Sequence, residues 1–320
     1  MCNGCGDRYR CKLQRQVYDA KQTQKEYEAL RTESRQGFAV SREELQRLDD
    51  IISPLIRQGH SIHQICINNA DLIMMDEKTI YNYIDAGLLS ARNIDLPRKV
   101  RYRTRKKKRE VKVDKHCHLG RTYVDFLEYL SGDPDIPVVE MDSVEGRKGG
   151  KVLLTLYFRS CSLMIAFLRE KNTARSVKET IDHIYDELGH EKFSELFPVI
   201  LTDRGSEFTD PLALEFTKEG KRRIRIFYCD PMRSDQKGGC EVAHEFIRRI
   251  LPKGSSFDDL VQKDISLIMS HINSYKRKKL NDRSPLQLFS FLHGGEVLKK
   301  LNLSSIPANE INLTPFLLKK

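Results

Sequence analysis

A chain of 320 residues, 39% hydrophobic and 31% charged, has the make-up of a folded globular protein with room for two or three domains. It holds no run of about 18 apolar residues, so no membrane span is expected, and its first residues, MCNGCGDRYRCK, lack the apolar segment of a secretory signal; the cytoplasm is the expected location. Lys and Arg outnumber Asp and Glu by 55 to 45, and the net charge of +10 favours polyanionic partners through counterion release.

Residues 1–40 read as a polar, Cys-containing N-terminal segment with a surface helix over 14–35. Eight cysteines without a signal peptide read as thiols rather than as a disulfide framework. Cys66, Cys161 and Cys229 sit in apolar runs and belong to the core. Cys2, Cys5 and Cys11 are a partial zinc set, one ligand short of the four that structural zinc prefers.

Residues 41–96 read as a helix-turn-helix-like DNA-binding region. Ser41 and Glu44 form a capping box, and Leu45, Leu48, Ile51, Ile52 and Leu55 follow at helical spacing, with a bend at Pro54 or a second turn capped by Ser53. A short helix starts at Ser61. Another follows Asp76, a good N-cap, and stops at Gly87. On that last helix Ile80, Tyr83 and Ile84 share one face, leaving Lys78, Tyr81 and Asn82 to reach a DNA groove. Residues 97–133 read as a basic linker. Its bases Arg98, Lys99, Arg101, Arg103, Arg105, Lys106, Lys107, Lys108 and Arg109 have almost no acids to offset them, and they suit contacts with phosphates.

The pattern changes in residues 134–293. Strands are expected over 138–142, 151–160, 163–170, 198–203 and 223–229, with helices over 172–196 and 240–251. Strands followed by strand–helix alternation predict an α/β mixed sheet flanked by helices, preceded by the small all-α region. Residues 294–320 read as a C-terminal tail.

Two apolar strands end in an acid, VVEM before Asp142 and VILT before Asp203, and a third acid, Glu241, opens an amphipathic helix. Carboxylates at a sheet rim can hold Mg²⁺, a hard ion with oxygen ligands, without a buried charge. Two such ions, typically about 3.5–4 Å apart, serve an in-line displacement at phosphorus. Glu145, Glu207, Asp230 and Asp235 lie near the same rim and compete with these three; His244 and the His116-Cys117-His118 run are weaker metal-ligand candidates.

The blocks VVEMDSVEGRKGGKVLLTLYFRS, FPVILTDRGSEF, IFYCDPMRSDQKGG, CEVAHEFIRRILPKG and HINSYKRKKLNDRSPLQLF resemble the core of bacterial transposases of the insertion-sequence-thirty family. These are D,D,E transposases, similar in core to retroviral integrases. KTIYNYIDAGLLSARNIDLPRKVRYRTRKKK resembles the family's DNA-binding region and linker. The resemblance implies a ribonuclease-H-like fold, Mg²⁺ (or Mn²⁺) dependence, and cleavage and strand transfer at the ends of a mobile element. The implied partners are double-stranded DNA, as terminal repeats and target, and further copies of the chain assembled on that DNA. Asp142, Asp203 and Glu241 match the family's three acids. Lys237, in the QKGG before the helix, matches a DNA contact, and Arg248, on the stripe of Glu241, is a further candidate. Three departures stand out. Val242 replaces the usual Asn after the third acid, Arg204-Gly205 replaces Asn-Gly after the second, and an additional upstream helix-turn-helix segment has no room. They raise the alternative of a truncated or degenerate DNA-binding remnant with weak or no catalysis.

Overall fold

The computed structural model describes residues 2–7, 9–33, 37–99 and 116–318. The chain divides into two compact units, Met1–Arg47 and Leu48–Lys320. The first contains α1 (Ala20–Glu33), shorter than the expected 14–35 and with no buried residue. It is sustained by local pairs such as Gln22 with Glu26 and Gln24 with Glu28.

The division falls within α2 (Arg42–Arg57), whose start is capped by Ser41 accepting from the Glu44 amide at 3.1 Å. Pro54 lies inside this helix, and Ser53 is a helical residue rather than the cap of a second turn. Leu48, Ile52, Leu55 and Ile56 of α2 are buried, as are Ile62 and Ile65 of α3 (Ile62–Asn68) and Ile73 of α4 (Ala70–Ile73). α5 (Glu77–Asp85) is capped by Asp76 and buries Ile80, Tyr83 and Ile84.

The 294–320 tail is a correction. After α11 (Gln262–Ser274), α12 (Pro285–His293) and α13 (Gly295–Lys300), Leu303, Ile311 and Leu313 are buried in the main core. The same stretch binds the helical region: the Leu313 amide donates to Gln58 O at 2.9 Å, and His60 Nε2 lies 2.6 Å from Ile311 O. Gly59, at φ +88°, permits this approach, since a Cβ there would lie 3.2 Å from Leu313 O.

The expected linker also holds structure. α6 (Tyr123–Gly132) starts at a Thr122–Asp125 capping box, and its Phe126, 1% exposed, packs on Val138, Val199, Leu201 and Phe227. The apolar residues of FLEYL need that cover, which is why the segment folds instead of spanning. Residues 100–115, and with them Arg101, Arg103, Arg105, Lys106, Lys107, Lys108 and Arg109, lie outside the described residues.

The sheet comprises β1 (Val138–Glu145), β2 (Val152–Phe158), β3 (Met164–Arg169), β4 (Val199–Thr202) and β5 (Arg225–Tyr228), in the order β3-β2-β1-β4-β5. The first three strands pair antiparallel, whereas β1, β4 and β5 are parallel. This is the ribonuclease-H-like arrangement. Parallel strands need a crossover connection, and between β3 and β4 it is supplied by α7 (Ala174–Leu188) and α8 (His190–Leu196). The helix expected over 172–196 is two helices because Gly189, at φ +80°, ends the first. α9 (Pro211–Glu215) leads to β5, and α10 (Gly238–Ile250) follows it. The outer edge of β3 is closed by α11: Asn273 bonds both the amide and the carbonyl of Met164, and Gln262 those of Leu168 and Ala166. Among the described residues, no helix is long and apolar enough to cross a membrane.

Candidate active site

The parallel ladder of β1 with β4 runs from Val138 beside Val199 to Met141 beside Thr202, so Asp142 and Asp203 are the next residues along the two strands. Asp203 follows the end of β4, but the strand expected to stop at Asp142 continues to Glu145, because β2 goes on pairing with it: Asp142 lies opposite Thr155 and Glu145 opposite Val152. Open sheets bind ligands beyond the carboxyl ends of their parallel strands. One Asp142 oxygen accepts from the Ser143 amide at 2.8 Å, and one Asp203 oxygen accepts from the Gly205 amide at 2.9 Å. A Cβ on Gly205 would lie 2.6 Å from Glu207 Oε2 and 3.0 Å from Asp203 Oδ1, so a larger residue there would push these carboxylates aside. Arg204, beside Asp203, donates to Cys229 O at 3.0 Å.

Alternation along β1 puts Glu140 on the face of Asp142, and that face carries α10. Glu140 is 2% exposed. Its Oε2 accepts from the Cys240 amide at 2.7 Å and its Oε1 from Arg159 Nε at 2.6 Å, while Arg159 Nη2 donates to Gln236 O at 2.7 Å. A carboxylate thus meets an unsatisfied amide in the first turn of α10, where the helix dipole also favours it. Gly239 brings the helix close to β2; a Cβ there would stand 2.4 Å from the Tyr157 ring. Glu241 projects from this fixed first turn and is exposed. Partial burial, then the charge of Asp142, raises its pKa above the ordinary carboxylate value.

Lys237, expected as an outward DNA contact, turns inward. It is 4% exposed, with Nζ 3.1 Å from Asp142 Oδ2 and 3.3 Å from Met141 O. Burial works against its charge, but Asp142 and Asp203 outweigh that and raise its pKa. The competing acids are engaged elsewhere. Asp230 is bonded by Gln236 Nε2 at 2.8 Å, Asp235 by Arg233 at 2.9 Å, and Glu145 by Asn172 Nδ2 at 3.4 Å; Glu207 is buried.

Lys78, Tyr81 and Asn82 of α5 are exposed. Lys99 pairs with Asp85 at 2.8 Å, Arg98 pairs with Glu245 of α10, and Arg248 donates to Glu145 O at 2.8 Å. Cys5 and Cys11 are exposed thiols, while Cys2 Sγ lies 3.4 Å from the Gln16 amide. Among the described residues, the grouping with metal-ligand spacing is Asp142, Cys240 and His244. Thr155 Oγ1 lies 2.8 Å from His244 Nε2, and burial, then Lys237 and Arg248, lowers the His244 pKa to about 4. Sequence reasoning missed Glu140, Arg159 and Cys240; it named His244 as a weaker metal-ligand candidate but not its company. The available signal was Glu140, an acid two residues before Asp142 in an otherwise apolar run.

No family model matches the chain. It is 27% identical over 232 residues to a probable transposase for the insertion-like sequence element IS1161 of Streptococcus salivarius, covering 71% of this chain and 62% of that protein. It is 28% identical over 149 residues to the transposase InsI of IS30A from Escherichia coli K12, covering 47% and 37% of the two chains. Among solved structures, the catalytic core domain of BIV integrase aligns with a TM-score of 0.35 at 15% identity, covering 50% of this chain and 97% of that one. The chain spans about 62% of the length of the IS1161 relative. These sequence relationships place the chain among the relatives of insertion-sequence transposases, IS30-type members included, on a ribonuclease-H-like sheet.

Proposed function

We propose that the chain is a D,D,E polynucleotidyl transferase that cuts and joins DNA strands at the ends of an insertion sequence. The observation that carries this reading is that the β1–β4 ladder leads to Asp142 and Asp203 as neighbouring residues, while Glu140 of β1 holds the first turn of α10, which bears Glu241. The donor set fits Mg²⁺: three carboxylates with few competing bonds, gathered closely enough that a buried ammonium balances two of them. Asp142, Asp203 and Glu241 would hold the metal, which when bound activates the attacking oxygen and offsets charge on the leaving one.

The residues of the chain do the rest. β1 and the end of β4 hold two carboxylates, Glu140 fixes the helix that carries the third, and Lys237 balances their charge. In cleavage, a water oxygen attacks phosphorus in line, and the deoxyribose oxygen leaves with the P–O electron pair. In joining, the freed 3′-hydroxyl attacks a phosphorus of the target strand and loses its proton to solvent, while that strand's own 3′-oxygen leaves with the P–O electron pair and is protonated. Lys78, Tyr81, Asn82 and the basic segment 98–115 would bind duplex DNA.

Purified chain incubated with duplex DNA carrying the element's end should nick it in Mg²⁺. Asp142→Asn, Asp203→Asn and Glu241→Gln should each lower the rate by at least about a thousandfold, some 4 kcal/mol of barrier, with DNA binding retained. Wild-type cleavage by Glu241→Gln would remove it from the site and return Asp230 or Asp235 to consideration.

A further inference from the structure

The buried side of α10 carries a second donor set, different in kind from the three carboxylates. Cys240 and His244 are four residues apart on the helix and so point the same way. Across from them, Thr155 of β2 pairs directly with Asp142 of β1. Cys240 Sγ lies 3.3 Å from His244 Nε2, and His244 Nδ1 lies 4.0 Å from Asp142 Oδ2. One ligand atom from each of the three residues falls within 4.8 Å of the other two.

Mg²⁺ has little use for a thiol or an imidazole, whereas zinc takes thiolate, imidazole and carboxylate together in a tetrahedron. With Zn–S about 2.3 Å and Zn–N about 2.0–2.1 Å, tetrahedral S and N ligands stand about 3.6 Å apart. The Cys240–His244 separation is therefore already close to bridging distance. Asp142 supplies the third ligand, and a water can take the fourth position from the cleft.

We propose that Asp142, Cys240 and His244 form a site for a thiophilic divalent cation of the zinc type, and that filling it withdraws Asp142 from the catalytic acids and stops the Mg²⁺-dependent reaction. The inhibitory half rests on the reading of Asp142 as a catalytic acid. As the metal–sulfur bond forms, the Cys240 thiol gives its proton to solvent. Lys237 releases the Asp142 oxygen that it holds at 3.1 Å.

The test uses the full chain, with Cys2, Cys5 and Cys11 changed to Ser so that the N-terminal thiols do not contribute. Cobalt(II) is the spectroscopic probe and zinc the inhibitor. The expected result is one cobalt equivalent with a thiolate-to-metal charge-transfer band, lost in Cys240→Ser and weakened at least about tenfold in affinity in His244→Asn. Absence of the band, or its persistence in Cys240→Ser, overturns the site and leaves Cys240, Thr155 and His244 as a hydrogen-bonded core cluster. Thermal melting shows whether each variant folds, and His244→Asn alone decides if Cys240→Ser does not. In cleavage assays with Mg²⁺ in excess, zinc should inhibit the parent but not Cys240→Ser; equal inhibition overturns the regulatory half. A chain that shows the band yet never cleaves DNA upholds the site and overturns the catalytic reading of Asp142, so the two fail separately.

Discussion

Lys237 shows how a single side chain can hold a charged site together. Its ammonium is buried beside Asp142, and its raised pKa keeps it charged at neutral pH. Removing one partner of a buried ion pair typically costs about 3–5 kcal/mol. Asp142 retains 20% side-chain exposure, so solvent screening reduces the expected cost of Lys237→Met to about 1–3 kcal/mol. The variant should melt lower than wild type in chelator and recover much of the difference in Mg²⁺, which can balance the same two carboxylates. Equal melting shifts with Mg²⁺ in both proteins would show that Lys237 and the metal do not share the acids. Val242 is a second residue-scale case. It is 49% exposed at the start of α10 and packs no core, so Val242→Asn should leave stability within about 0.5 kcal/mol. If an amide at this position helps to hold phosphate, the variant should cleave faster at unchanged metal preference.

At the scale of elements, the strand ends were readable because their chemistry is local. An apolar run that stops at an acid does mark a strand end at Asp203, which follows β4; at Asp142 it marks only where β1 stops pairing with β4, since β1 runs on to Glu145 against β2. The anchoring of α10 was not readable, because its parts come from distant segments. Glu140 meets Cys240 a hundred residues later, and Gly239 is required by a Tyr157 ring on β2. The hydrogen-bonding needs of a helix start are visible in sequence, but the strand residue that answers them is not. The folding of 123–132 and of 301–313 was hidden for a related reason: the residues that bury Phe126 and those that bury Leu303, Ile311 and Leu313 come from distant parts of the chain. Glu140→Gln tests the anchor. It keeps the shape but removes the charge that faces Arg159 and the helix amide, at a cost of about 2–3 kcal/mol in stability. If Glu140 positions Glu241, the Mg²⁺ concentration for half-maximal cleavage should also rise about 10–100-fold, as for supporting residues around metal ligands. A loss of stability with unchanged metal dependence would reduce Glu140 to a packing role.

Across the whole molecule, charge is distributed unevenly in a way that bears on DNA binding and on pH. Arg98 and Lys99 are already paired with Glu245 and Asp85, so the bases free to meet phosphates are to be sought further along the basic segment. Neutralising residues 105–109 should flatten the log–log salt dependence of DNA affinity, by roughly 0.9 in slope for each phosphate that the segment no longer neutralises. An unchanged slope would remove the segment from the interface. Within Leu48–Lys320, the helical region and the loop after α11 meet at His63, whose ring lies 2.6 Å from Glu77 and 2.8 Å from Asp282. Hydrogen bonds to Glu77, then Asp282, raise the His63 pKa above 6.5 against the effect of burial. A raised folded-state value means that protonated His63 stabilises the fold, fully below about pH 6.5 and progressively less as pH climbs through the folded value. The groups are partly exposed, so the effect is modest and salt-sensitive. The difference in melting temperature between wild type and His63→Asn, followed from about pH 5.5 to 9, should therefore be largest at the acid end and shrink with rising pH. A difference that grows with pH would mean that His63 acts as a neutral hydrogen-bonding group, and that this junction is not held by charge.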